Sequence, residues 1–105
     1  MKILLLRSAV EDLKRGSVFY ECQGEGLGEY FEDALLADVE SLIIYGGIHP
    51  KVGTYHRMLS GRFPYAIYYT VAEETVKVCA ILDCRRDPEW IRSKLDDRGR
   101  TSGRS

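Results

Sequence analysis

The stretch SGRFPYAIYYTVAEETVKVCAILDCRRDPEW, residues 60–90, decides how this chain folds. Phe63, Tyr65, Ile67, Tyr69 and Val71 alternate with Ala66, Tyr68 and Thr70, the period of two that marks a strand, in residue types that favour one. Ala72-Glu73-Glu74-Thr75 reads as a turn. Val76, Val78, Ala80 and Leu82 then alternate with Lys77, Cys79, Ile81 and Asp83, and the nearly continuous apolar character predicts a central strand covered on both faces. Tyr55 to Leu59 forms a shorter strand ahead of this pair, with Ser60 and Gly61 as its turn. The run closes on two arginines, Arg85 and Arg86.

Upstream the period changes. Ile3 to Leu6 is a short apolar run that predicts a first strand, and Ser8 with Glu11 three residues later fits a capping box for the helix that follows. Ala9, Leu13, Gly16 and Tyr20 form one stripe of that helix, which should run to about Cys22. Gly24, Gly26 and Gly28 then connect it to a second helix, since they follow a helix and lack the spacing of a dinucleotide loop. Leu27, Phe31, Leu35, Val39 and Leu42 repeat at helical spacing and predict that helix from Leu27 to about Tyr45. Three glycines and a proline make residues 46–54 a loop. Pro88 should start a final helical turn carrying Trp90, Ile91 and Leu95. The order β, α, α, β, β, β gives an α+β domain, an N-terminal strand and a helical hairpin packed on a small antiparallel sheet. One domain over residues 1–96 and a mobile tail over 97–105 are expected.

Composition narrows the function classes. A net charge of −1 argues against a protein that coats nucleic acid, but the charge is uneven. Residues 1–54 hold five Lys/Arg against nine Asp/Glu, whereas residues 55–105 hold ten against seven, so an anion would meet the second half. Cys22, Cys79 and Cys84 form no CxxC pair and suggest no disulfide framework. MKILLLR has four apolar residues before Arg7 and no small-residue cleavage site, and no stretch approaches the roughly 20 apolar residues of a membrane span. A cytoplasmic location is expected.

With these pieces in order, the chain resembles the RelE/ParE superfamily of toxins from type II toxin–antitoxin modules, including the plasmid stabilisation type. The resemblance is carried by AVEDLKRGSVFYE (9–21), GLGEYFEDALLADVESL (26–42), RFPYAIYY (62–69) and AILDCRRDPEW (80–90), and it spans nearly the whole chain. It implies a growth inhibitor held silent by a cognate antitoxin, acting either by cleaving messenger RNA in the ribosome or by poisoning DNA gyrase. In the nuclease branch an arginine often follows the tyrosine of the penultimate strand and a histidine can close the last one. Ala66 and Asp83 stand there in this sequence, so the resemblance leans to the ParE side.

Metal-independent RNA cleavage needs a base for the 2′-hydroxyl, an acid for the leaving oxygen, and cations for the transition state. Arg62, Arg85, His56 and Tyr68 are the candidates for those roles if the chain is a nuclease. Tyr68 is taken as the exposed member of the tyrosine set, with Tyr65 and Tyr69 in the core. For a bound antitoxin or target, Arg57, Arg85, Arg86 and Trp90 are the candidate contacts, along a groove between the two helices and the sheet. Asp83, Cys84 and His56 lack metal-ligand spacing, and neither a metal nor a cofactor is expected. Three readings stay open: a gyrase-binding toxin, a ribosome-dependent endoribonuclease, and a non-toxic antitoxin-binding scaffold.

Overall fold

A computed structural model describes residues 1–102, with side chains to Gly99. Five strands form one sheet: β1 (Lys2–Leu5), β2 (Lys51–Val52), β3 (Tyr55–Leu59), β4 (Tyr65–Ala72) and β5 (Thr75–Asp83), in the order β1-β5-β4-β3-β2. All neighbours are antiparallel except β1, which pairs parallel with β5. Helices α1 (Arg7–Glu21) and α2 (Leu27–Glu40) form a hairpin on one face, the short α3 (Leu42–Tyr45) follows, and α4 (Pro88–Ser102) lies on the other face. The α+β architecture read from the sequence is the one observed, and β5 is central and covered on both faces.

Side-chain alternation assigns the two faces. Tyr65, Ile67 and Tyr69 of β4 meet Ala9, Leu13, Phe31, Leu35 and Val39 of the helical hairpin in the main core. At the loop end of this core, Tyr20, Phe31, Phe63 and Tyr65 form a ring cluster with centroids 4.9–6.3 Å apart. Edge-to-face pairs of this kind contribute about 0.5–1.5 kcal/mol each beyond the area they bury. Ala66 and Tyr68 point the other way and pack with Cys79, Leu82 and Leu95 in a second cluster under α4.

On β5 the strict alternation fails, because β4 and β5 shift register between Tyr68, opposite Ala80, and Tyr69, opposite Val78. Cys79 is the extra residue of this bulge, which moves the hairpin-facing positions from Val76 and Val78 to Ile81. Cys79 and Leu82 face α4 as a result.

Several local readings change. Ser8 does not cap α1: Leu6 holds the N-cap position with no side-chain bond, and Ser8 Oγ donates to the Cys79 carbonyl at 2.9 Å. The second helix breaks at Ser41, whose hydroxyl donates to the Asp38 carbonyl at 2.6 Å and competes with the helical bond there. The 46–54 loop contains the short strand β2. The final helical turn is a 15-residue helix that runs past Asp97 to Ser102, through most of the tail expected to be mobile; residues 103–105 lie outside the described residues. The surface is also more apolar than its sequence pattern indicates, with Ile43, Tyr45, Ile48 and, at 77% exposure, Ile44 open around α3.

Candidate functional site

The helical hairpin packs directly on the sheet, so the space proposed from sequence as a docking groove is filled by core side chains. The larger opening lies on the opposite face, between the β2–β4 surface and α4. It encloses about 570 Å³ and is bordered by Arg57, Tyr68, Cys84, Arg86, Arg92 and Leu95, among others. A narrower cleft of about 340 Å³ runs from α1 to the end of β5, past Asp12, Phe19, Asp83 and Trp90.

Strand pairing explains why Arg57 enters the larger cleft. Arg57 stands opposite Tyr68 across β3 and β4, so both side chains leave the sheet on the α4 side. Tyr68 is only 2% exposed and forms part of the floor, which corrects its reading as the open tyrosine; α4 is the cover that the sequence pattern did not supply. Hydrogen bonding to the Tyr68 phenol raises the Arg57 guanidinium further above its ordinary range against the effect of burial, and Arg57 Nη2 also lies 3.7 Å from Cys84 Sγ. Arg86 stacks on Trp90 at 3.9 Å from the ring centre, and Lys94 lies 5.5 Å from the same ring. Trp90 also packs against the second cluster, joining α4 to the sheet.

The remaining sequence candidates lie elsewhere. His56 stands opposite Tyr69, hence on the hairpin side, where its ring stacks on Tyr69 at 5.0 Å and Nδ1 donates to the His49 carbonyl at 2.7 Å. Arg62, in the β3–β4 loop, donates to the Tyr30 hydroxyl at 2.7 Å. Arg85 is held by Asp83 through two side-chain bonds, at 2.8 and 3.0 Å. Pairing with Arg85 keeps the Asp83 carboxyl below the usual carboxylate range. Beside them, burial pushes the Tyr65 phenol up to about 12. Arg57 and Tyr68 therefore share the cleft with Arg86, which also borders the narrower cleft lined by Trp90, while His56, Arg62 and Arg85 are separated from it.

Arg92 and Cys84 are cleft residues that sequence reasoning did not select. Arg92 was readable in principle, since it follows Ile91 and precedes Leu95 on a helix whose apolar side faces the sheet. Among the described residues no cluster of three His, Cys, Asp or Glu side chains could hold a metal ion, and no helix is long and apolar enough to cross a membrane.

No family model matches the sequence, and no curated protein matches it significantly. A solved structure does match. It is a chain titled "Chromosomal ParDE TA system from P. aeruginosa", with a TM-score of 0.65 and 16% identity, covering 77% of this chain and 92% of that one. The chain has a ParDE-like fold. At this identity the likeness concerns architecture, and the cleft residues rest on their own geometry.

Proposed function

We propose that this chain is the toxin component of a type II toxin–antitoxin module, active in the cytoplasm, neutralised by an antitoxin encoded beside it, and inhibiting growth by occupying a protein target such as DNA gyrase. The ParDE-like fold supports the toxin–antitoxin part of this reading. Binding rather than RNA cleavage is supported chiefly by one observation: the candidate acid–base and cationic groups are divided between two faces of the sheet. His56 is on the hairpin side with its ring on Tyr69, Arg57 and the buried Tyr68 are on the α4 side, and Arg85 is occupied by Asp83. Acid and base catalysis contribute roughly a hundredfold to ten-thousandfold each and need each group within hydrogen-bond reach, about 3 Å, of the proton it moves on either side of one scissile bond. A binding role needs no such convergence. The partner contacts assigned to this reading are Arg57 and Arg86 in the larger cleft and Trp90 in the narrower one, with the Asp83-bound Arg85 outside both.

The experiment is induction of the protein in bacteria without antitoxin, with growth, RNA 5′ ends and plasmid supercoiling followed together. Growth arrest with altered supercoiling and no new RNA ends is the expected result. New ends at fixed positions in translated codons would make the chain a ribosome-dependent nuclease, and unimpaired growth would leave a non-toxic scaffold.

A further inference from the structure

We infer that the cleft beneath α4 is a receptor for a short acidic–apolar peptide segment, with carboxylates held by Arg57, Arg86 and Arg92 and an apolar side chain seated against Val52, Ile91 and Leu95. The inference rests on the proposed reading of the chain as a protein-binding component and specifies the chemistry of the partner.

Charge is the first support. The three arginines border one opening, and among the described residues none of them is ion-paired with a carboxylate, whereas Arg15, Arg85 and Arg98 all are. Asp96 is the acidic side chain on the same border, so a cationic excess remains. Arg57 is already oriented by Tyr68 and Cys84, and Arg86 by Trp90, which lowers the entropy lost when a carboxylate is bound. Planar guanidinium groups match carboxylates in two-pronged geometry.

The second support is the character of the walls. Tyr55 and Tyr68, the aromatic residues bordering the cleft, are both buried, so the cleft offers no open aromatic plane to a nucleobase. Single-stranded nucleic acids gain much of their affinity from such planes. Val52 and the half-buried Ile91 instead offer aliphatic surface next to the guanidinium groups. Acidic residues alternating with Leu, Ile or Val satisfy both features, as in the recognition of acidic motifs by arginine clusters.

The test is selection of displayed 12-residue random peptides on the intact protein, followed by titration of synthetic versions read by fluorescence of Trp90, the only tryptophan. Enriched peptides should pair Asp or Glu with aliphatic residues and bind more weakly as salt rises. Arg92→Glu, on the exposed side of α4, should reduce their affinity about tenfold or more, as should Gln in place of the peptide carboxylates. Arg57→Glu should do the same, and is interpreted only if its melting curve matches the parent; Arg92→Glu decides the matter otherwise. Failure to enrich peptides, enrichment without acidic residues, or unchanged binding by Arg92→Glu would overturn the inference. So would tight binding of an oligouridylate that Arg92→Glu abolishes, which would make the cleft a nucleic-acid site. Induction in cells separates this from the broader reading: peptide binding without growth arrest removes the toxin role and keeps the cleft, and arrest without peptide binding does the reverse.

Discussion

Arg98 of α4 reaches across the molecule to the buried carboxylate of Asp12 in α1, donating through Nη2 at 2.7 Å and through Nη1 to the second oxygen. The same carboxylate accepts the Ile81 backbone N–H at 3.0 Å, on β5 beyond the last β1 pairing at Val78. Asp12 thus completes the hydrogen bonding of the central strand where β1 ends, and at the same point fixes α4 against the hairpin.

Removing Asp12 leaves the Arg98 charge without a carboxylate, whereas removing Arg98 leaves Asp12 with the exposed Arg15. Asp12→Ala should cost about 3–5 kcal/mol, because it strands both Arg98 and the Ile81 N–H, and Arg98→Ala should cost less because Asp12 keeps Ile81 and the exposed Arg15. Urea unfolding of both single variants and the double variant checks this. The double variant should be less destabilised than the sum of the two; additive losses would mean that the pair is not coupled.

Gly16 of α1 lies directly beneath the Phe31 ring of α2. A Cβ placed there would lie 2.5 and 2.6 Å from ring atoms of Phe31, which is fully buried within the aromatic cluster and has little room to move. Gly16→Ala gains roughly 1 kcal/mol of helix propensity. Overpacking typically costs about 1–3 kcal/mol and should outweigh it. A lower midpoint in thermal unfolding is expected, and an unchanged or higher one would show that Phe31 yields freely.

The tyrosine stripe of β4 and the apolar stripes of the hairpin were legible because they are local periodicities. The bulge at Cys79 was not, since no glycine or polar residue in VCAIL (78–82) marks it and it depends on how two strands twist together. Tyr68 was misread for a related reason: α4 was read as a single turn, too short to cover β4 as well as β5. The polar sequence from Asp96 onward hides that helix, whose anchor, Arg98, is partnered 86 residues away. The cleft is the product of those non-local features, so Arg57 was selected as a candidate, while Arg92, readable only from the periodicity of α4, and Cys84 were not.

The β4–β5 turn carries a local strain that substitution should relieve. Glu73 and Glu74 have φ of 51° and 63°, so both central residues of this two-residue connection are left-handed. Such turns favour Asn-Gly, because non-glycine residues in this conformation cost on the order of 1 kcal/mol each. Glu73→Asn with Glu74→Gly should therefore stabilise the protein by about 1 kcal/mol, less the extra unfolded-state freedom of glycine. A rise in the urea midpoint at constant slope is the expected result; a fall would mean that the glutamates make a compensating contribution.

His49 makes stability depend on pH through Tyr69. The Tyr69 hydroxyl accepts the Gly47 N–H at 3.0 Å and pairs with His49 Nδ1, which in the neutral imidazole can accept the Tyr69 hydrogen. His56, stacked on the same tyrosine, donates Nδ1–H to the His49 carbonyl. Burial, and then the charge of His56, hold the His49 imidazole below its ordinary 6.5. The unfolded chain therefore takes up a proton near pH 6.5 that the folded chain resists, so this contribution to stability is complete above about that pH and falls as the solution is acidified through the folded value. Melting temperatures measured from about pH 8 down to 5 should decline for the parent protein and decline less for His49→Gln. Parallel curves for the two proteins would remove His49 as the group responsible.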